Sequence, residues 1–247
     1  MKIAVFSPFS SIWAHATLEA SVAEHLRSVG HDVQLVFCGG ILTSHCSAMS
    51  ESGLDQGVPP GNLRERVCHN CIRRASGLTS DTGLDSTYLS NWLSKSELNE
   101  IDKQVDCVTK ENWQSFEIDG VPLGRYASYE FALENKISDS DFDLQLFPFF
   151  LNQLRNTVRT YRAWKTLITH SPPDAVIVAN DLYSVSRAAS SVCHQAGIKT
   201  FTLNNGTDLR RYGNSITLSE NAEVDLLASR HDGLERYKTE NISQASI

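Results

Sequence analysis

The chain opens with MKIAVFSPFSSIWAHATLEASVAEHLRSVGHDVQLVFC, residues 1–38, which has the pattern of a strand, a helix and a second strand. Ile3 to Phe6 is a short apolar run that stops at Ser7-Pro8, as expected of a buried strand. A helical stretch follows and ends at Gly30, and Val33 to Phe37 is a second apolar run. Because parallel strands need a crossover of about this length, the stretch predicts a parallel strand–helix–strand unit.

The same pattern recurs near the other end of the chain. Ala175 to Ala179 is a continuous apolar strand, Asp181 to Ala196 is a helix closed by Gly197, and Ile198 to Leu203 is another strand. The two units together predict an α/β fold with a Rossmann-like, doubly wound parallel sheet. We expect one domain over residues 1–206, with an insertion after the second strand at about 39–120, and a C-terminal extension over 207–247.

Composition narrows the class of protein. With 41% hydrophobic residues in 247, the chain can build a real core, and a net charge of −7 without a Lys/Arg run argues against a nucleic-acid surface. No apolar stretch approaches the roughly 18 residues of a membrane span, which leaves only peripheral contact with a membrane. Six cysteines without an N-terminal leader predict a cytoplasmic, reducing location.

The loop after the first strand is where a parallel sheet of this kind binds ligands. It lacks the G-x-G-x-x-G pattern of a dinucleotide site. His15 and Glu19 are four residues apart and therefore share a helix face. A carboxylate beside a histidine raises its basicity, which suits a general base acting on a hydroxyl group, so we predict a catalytic pair. The alternative is a solvated His–Glu pair on a helix surface.

Other polar residues at the predicted strand ends are candidates for binding substrate. Ser10 and Trp13 lie in the first loop, Asn180 follows the strand that ends at Ala179, and Asn205-Gly206 follows the next strand. Carboxyl ends of parallel strands meet at one edge, so we expect these residues to shape a common cleft. Ordinary turn chemistry is the alternative, because Asn and Gly are the usual turn residues.

Residues 39–87 are rich in Gly, Ser and Pro and show little periodicity. Four cysteines lie in or next to this stretch, with a C-x-x-C pair among them: Cys38, Cys46, Cys68 and Cys71. We predict that they form a structural zinc site, which would replace a missing hydrophobic core. An iron–sulfur cluster is an alternative, His45 and His69 are alternative ligands, and free cysteines are a third interpretation.

Several pieces of the sequence together resemble a known family. They are the opening strand, Trp13-Ala14-His15 leading to Glu19, the segment Leu26-Arg27-Ser28-Val29-Gly30-His31-Asp32-Val33, the cysteines, Gly120-Val121-Pro122-Leu123-Gly124, and Pro173-Asp174 to Asn180. With these pieces the chain resembles the N-terminal, acceptor-side domain of GT-B-type glycosyltransferases that build bacterial surface and capsular polysaccharides.

The resemblance implies sugar transfer from a nucleotide-sugar donor, a co-substrate, to a hydroxyl group in polysaccharide or glycan biosynthesis. The acceptor would be a carbohydrate or a lipid-linked glycan, and His15 would be the base. Residues 207–247 are too short for the nucleotide-binding C-terminal domain, which would therefore be missing from this chain. The family also favours an acidic residue where Asn204-Asn205 stands. The alternative function is a non-enzymatic, metal-containing α/β module for binding or redox sensing.

Overall fold

The computed structural model describes residues 1–42, 45–54, 61–137, 145–205 and 216–220. Over these residues the chain forms a six-stranded sheet and seven α-helices. The strands are β1 Lys2–Ser7, β2 Asp32–Phe37, β3 Asp85–Tyr88, β4 Ala175–Ala179, β5 Lys199–Asn205 and β6 Ile216–Glu220. The helices are α1 Trp13–Ser28, α2 Ser47–Glu51, α3 Asn62–Thr82, α4 Lys95–Asp106, α5 Leu123–Asn135, α6 Phe147–His170 and α7 Ser184–Gln195.

The strand order is β3-β2-β1-β4-β5-β6. The first five strands are parallel, and β6 pairs antiparallel with β5. The chain runs outward from β1 to β3 and then returns to β4 on the other side of β1. The edge between β1 and β4 is therefore a topological switch point, where sheets of this kind bind ligands. The predicted α/β class with a mostly parallel sheet is confirmed, and the strand order is consistent with a Rossmann-like fold.

Both faces of the sheet are covered, as a parallel sheet requires. Along β1, Ala4 and Phe6 point into a large core shared with α4, α5, α6 and α7, while Ile3 and Val5 point into a smaller core shared with α1 and α3. Phe6 meets Trp164 of α6 edge to face, with ring centroids 5.3 Å apart. The alternation follows from the two-residue period of a strand, and it explains why the predicted strands are continuous apolar runs.

The long helix α6 forms over the residues that the apolar period predicts, Phe147 to His170. A proline stands in its first turn, where a missing N–H costs nothing. Leu154, Tyr161 and Trp164 are fully buried on its apolar face. This prediction is confirmed.

The apolar spacing of Leu89, Leu93, Leu98, Ile101 and Val105 predicts a helical stretch over Asp85 to Asp106. This prediction is wrong in its first part, because residues 85–88 form β3. This strand reads DSTY, and among the described strands it pairs with β2 alone at the edge of the sheet, so its sequence has no apolar run to mark it. Helix α4 begins only after Ser94, whose hydroxyl accepts the N–H of Glu97 in a capping box. The sequence also predicts a short helix over Ser219 to Ser229. Its first two residues belong to β6, and the remainder lies outside the described residues.

The segment after β2 contains α3, which carries the chain across to β3. Ala75 of this helix packs into the smaller core beside α1. Only Arg64 and Ala75 of its residues are buried, which is why the stretch shows little apolar periodicity. No helix in the described part of the chain is long and apolar enough to cross a membrane.

Candidate functional site

A cleft of about 380 Å³ opens at the carboxyl ends of β1 and β4. Pro8 and Phe9 follow β1 on one side of it, and Asn180 follows β4 on the other. The helices α1, α2, α5 and α7 supply the rest of its lining. The polar residues of the lining are His15, Glu19, Ser47, Glu130, Glu134, Asn180, Tyr183 and Ser186. The cleft thus lies at the switch point of the sheet.

Glu19 of α1 lies in the wall of this cleft and is only 2% exposed. Burial raises the pKa of its carboxyl group to about 8. The Ser7 hydroxyl opposes part of this rise, but the two groups do not complete a hydrogen bond, because Ser7 Oγ and Glu19 Oε2 are both buried without a partner in the described part of the chain. Glu19 is therefore a neutral carboxylic acid at pH 7 and can donate a proton.

His15 lies one turn earlier on α1, at the exposed mouth of the same cleft. The protein around its ring removes enough water to lower the pKa of the imidazole, and the negative charge of Glu51 partly opposes this. The ring is therefore neutral at pH 7 and can accept a proton. The structure thus places both predicted catalytic residues in the cleft. The carboxylate whose charge raises the pKa of His15 is Glu51, at the end of α2. The carboxyl group of Glu19 faces the Ser7 hydroxyl.

The cleft contains a second buried carboxyl group, Glu130 of α5, which the sequence does not predict. It is 6% exposed, and its Oε2 accepts hydrogen bonds from Gln153 Nε2 and Ser184 Oγ, both at 2.8 Å. Burial raises the pKa of Glu130 to about 7, and the nearby charge of Glu134 adds to the rise. The available signal was weak: Gln153 is a polar residue on the buried side of α6, which indicates an internal partner.

Asn180 adopts a left-handed backbone conformation, with φ of +46°, directly after β4. Asparagine tolerates this region better than most residues because its short side chain bonds locally. Its Oδ1 accepts the N–H of Leu182 at 3.2 Å, and Ser186 Oγ donates to the carbonyl of Ala179 at 2.8 Å. These local bonds hold the turn at the floor of the cleft.

The other predicted binding residues lie elsewhere. Ser10 is buried and lines a separate small cavity, with its Oγ directed at the carbonyl of Ser7. Trp13 begins α1 and is 69% exposed, outside the lining of the cleft. Asn205 ends β5, where its backbone pairs with Ile216. The side chain of Asn205 and the whole of Gly206 lie outside the described residues.

The small cavity has a volume of about 20 Å³ and shares Pro8 with the large cleft. All four predicted metal ligands line it, namely Cys38, Cys46, Cys68 and Cys71. They are free thiols. Burial raises the pKa of Cys38 to about 11 and that of Cys46 to about 12. As the side chains stand, no group of three or more His, Cys, Asp or Glu residues among those described is arranged to hold a metal ion.

Comparison with known proteins gives a distant match in structure only. No family model matches the chain, and no curated protein matches it. One similar solved structure is a deacetylase–teicoplanin complex from the teicoplanin biosynthesis pathway, with 10% identity, a TM-score of 0.42, and coverage of 96% of this chain and 86% of that one. Another is the zinc-inhibited form of the teicoplanin deacetylase Orf2, with 10% identity, a TM-score of 0.41, and coverage of 96% and 84%.

The predicted resemblance to a GT-B glycosyltransferase domain of polysaccharide biosynthesis is wrong, because both of these structures are deacetylases. The predicted sugar transfer and the predicted nucleotide-sugar donor rest on the same resemblance and are therefore also wrong. The lining residues of the cleft that the structure describes include carboxyl groups, and none of them is a Lys or Arg that would pair with a diphosphate. At these scores the likeness assigns no activity to the chain. The predicted carbohydrate or glycan partner and the cytoplasmic location stay predictions.

Proposed function

We propose that the chain is a hydrolytic enzyme that cleaves an uncharged acyl compound, an amide or an ester, by acid–base catalysis. The observation that carries this proposal is the pairing of two protonation states in one cleft. His15 is a neutral base at pH 7, and Glu19 is a protonated acid. Hydrolysis of an acyl group needs both functions at once, one to activate water and one to protonate the leaving group.

The charge of the cleft favours a neutral substrate. Its described lining has three carboxyl groups, Glu19, Glu130 and Glu134, and no cationic side chain. A phosphate or carboxylate ligand would meet these groups without a positive partner, which costs binding energy. An amide suits the site better, because the amine that it releases is attracted to carboxylates.

Each residue has a defined part in the proposed reaction. His15 takes a proton from a water molecule as the water oxygen bonds to the acyl carbon. Glu19 gives its proton to the leaving nitrogen or oxygen as the bond from that atom to the acyl carbon breaks. The products are an acid and an amine or alcohol, and solvent returns the proton from His15 to Glu19. Asn180 Oδ1 is taken by Leu182, which leaves its amide N–H groups to stabilise the negative acyl oxygen.

Hydrolysis of a small panel of neutral acyl compounds tests the proposal. We would use p-nitrophenyl acetate, followed by absorbance, and N-acetylglucosamine, followed by amine release with fluorescamine. His15→Gln and Glu19→Gln should each lower the rate by about 10² to 10⁴. His25→Gln and Glu24→Gln are matched controls, since both residues are exposed on the same helix, and these variants should keep the rate. Equal rates in all four variants, or no hydrolysis of either compound, would reject the proposal.

A further inference from the structure

A second large cavity, of about 370 Å³, lies beside the first half of α5. The turn at residues 113–115 and the first two turns of this helix line it, through Trp113, Gln114, Arg125, Ser128 and Tyr129. The cleft that contains His15 and Glu19 takes Glu130, Leu133 and Glu134 from the other half of the same helix. Two cavities of similar size therefore lie along one helix, and each is large enough to bind part of a small molecule.

Two tyrosines join the second cavity to the cleft. Tyr129 lines the cavity, and Tyr183 lines the cleft. Their rings meet edge to face, with centroids 6.4 Å apart and an angle of 69° between the planes. Both side chains remain partly open to solvent, at 39% and 36% exposed. The pair is therefore a shared rim, and a ligand that leaves the cleft across Tyr183 meets Tyr129 next.

The exposed face of α5 continues this rim in both directions. Arg125, Tyr129 and Leu133 are spaced four residues apart, so they share one face of the helix over about 12 Å along its axis. All three are exposed, and Leu133 lines the cleft. A ligand that covers Leu133 and the two tyrosine rings removes apolar surface from water, which favours binding.

The opposite wall of the second cavity is held in place before any ligand binds. A Cβ on Gly124 would lie 1.8 Å from the carbonyl oxygen of Trp113, so the turn at residue 113 packs directly on the first turn of α5. The indole ring of Trp113 is 6% exposed and meets Phe150 edge to face, with centroids 5.3 Å apart. Because this wall is already ordered, binding does not have to order it.

Arg125 gives the second cavity its charge. Its guanidinium group is exposed and forms no ion pair with the described residues. The hydroxyl of Ser128 donates within the helix, to the carbonyl of Arg125 at 2.9 Å. A guanidinium group attracts the face of an aromatic ring, and it offers no such attraction to an aliphatic group. The cavity therefore favours an aromatic ligand over an aliphatic one of the same size.

From the tyrosine rim, the exposed face of α5 and the cation at its far end, we propose that the second cavity binds a neutral aromatic group of the substrate. This inference rests on the proposed hydrolysis and names its substrate class, an N-acyl arylalkylamine. The aromatic group belongs to the amine part, because Glu130 and Glu134, which would attract the released amine, lie on α5 next to Tyr129 and Leu133. An anionic group would have to pass the same carboxyl groups, so a neutral ring suits the path better.

Ketones that cannot be hydrolysed measure this binding directly. Benzylacetone has the shape of N-benzylacetamide with a CH₂ group in place of the N–H, and its p-phenyl derivative adds a second ring that can reach the second cavity. The p-cyclohexyl derivative adds an aliphatic ring of similar size. Isothermal titration calorimetry gives the Kd of each compound. The p-phenyl compound should bind about fivefold or more tightly than benzylacetone, and at least about twofold more tightly than the p-cyclohexyl compound.

Variants of the second cavity locate the added ring. Tyr129→Ala should abolish the preference for the p-phenyl compound over benzylacetone, and Tyr129→Phe should keep it. Arg125→Gln should abolish the preference for the p-phenyl over the p-cyclohexyl compound. Leu63→Ala and Arg66→Gln are matched controls, because both residues are exposed on α3, and these variants should keep both preferences. Each preference is a ratio within one variant, so a partial loss of folded protein does not change it.

Two results would overturn the proposal. One is equal binding of benzylacetone and its p-phenyl derivative to the unmodified chain, and the other is an unchanged preference in Tyr129→Ala. Neither readout depends on hydrolysis. If p-nitrophenyl acetate is hydrolysed but the p-phenyl compound gains nothing, the aromatic site alone is wrong. If the preference is found without hydrolysis of any acyl compound, the proposed reaction is wrong and the binding site remains.

Discussion

The side-chain amide of Gln153 donates a 2.8 Å hydrogen bond to Oε2 of Glu130. The hydroxyl of Ser184 donates to the same oxygen at 2.8 Å, so one carboxyl group joins α5, α6 and α7 beneath the cleft. Glu19 differs, because its Oε2 has no partner in the described residues. The two buried acids therefore have different parts: Glu130 holds three helices together, and Glu19 is available for a substrate.

Removal of the amide donor should weaken the helix junction. Gln153→Leu leaves the buried Glu130 with one donor fewer, and an unsatisfied buried polar group costs about 1–3 kcal/mol. We expect the free energy of unfolding in urea to fall by this amount. Gln114→Leu is the control, because Gln114 is exposed and its replacement should change stability by less than about 0.5 kcal/mol. Equal effects of the two substitutions would show that the network contributes nothing.

Stability should depend on pH through Glu19. Its pKa is 4.5 in the unfolded reference and about 8 in the folded chain, so between these values the folded state binds the extra proton. Unfolding free energy should therefore decrease as pH rises from about 5 to 8, by up to about 1.4 kcal/mol per pH unit for this group. Glu130, whose folded pKa is about 7, adds a similar slope below pH 7.

Glu19→Gln should remove the slope between pH 7 and 8 and reduce it between pH 5 and 7, because Glu130 remains. Urea unfolding at several pH values measures this directly. The exposed neighbour Glu24→Gln provides the matched control and should keep the full slope. A slope that is unchanged in Glu19→Gln would mean that this carboxyl ionises normally in the folded chain.

A plot of the acyl hydrolysis rate against pH should rise along an acid limb and fall along an alkaline limb. Activity needs a neutral His15 and a protonated Glu19, so it should rise at a pH below the ordinary histidine value of 6.5 and fall through about pH 8. Glu51→Gln removes the charge that raises the pKa of His15 and should move the acid limb to lower pH. The alkaline limb should not move. If both limbs moved together in Glu51→Gln, the substitution would have changed the structure of the cleft, and the prediction of an electrostatic effect on His15 alone would be wrong.

Gly124 should not tolerate a side chain. A Cβ at this position would lie 1.8 Å from the carbonyl oxygen of Trp113, and its own N–H donates to the carbonyl of Phe116 at 3.0 Å. Gly124→Ala must therefore move backbone, and we expect a loss of more than about 3 kcal/mol in thermal or urea unfolding. Gly77→Ala is the contrasting control, since that helical position is open and alanine should stabilise it by about 0.5–1 kcal/mol. Tolerance of Gly124→Ala would contradict the close approach.

The sequence predicts those parts of the fold that are marked by apolar period. The two strand–helix–strand units and α6 follow from buried runs and from a long amphipathic repeat. The sequence does not predict β3, because its four residues, DSTY, lie at a sheet edge and show no apolar pattern. Gly120 to Gly124 is one of the pieces that carry the resemblance to the glycosyltransferase family, but the structure gives the glycine at 124 a local reason, the close approach of its backbone to Trp113.

The same reasoning predicts only part of the candidate site. His15 and Asn180 could be placed at the strand ends because the topology of a parallel sheet brings those ends together. Glu130 could not, because it reaches the cleft through the packing of α5 on α6, and nothing in its local sequence links it to α1. Spacing on α1 places His15 and Glu19 side by side, whereas burial decides their charge states.

The short edge strand β3 also affects how molecules of this chain meet one another. Edge strands offer unpaired backbone N–H and C=O groups to any extended segment, and long apolar edges promote aggregation. β3 offers only four residues, Asp85 to Tyr88, and begins with an acidic side chain. At this border the sheet therefore gives a foreign strand little to bind, which should help the protein to stay dispersed at high concentration.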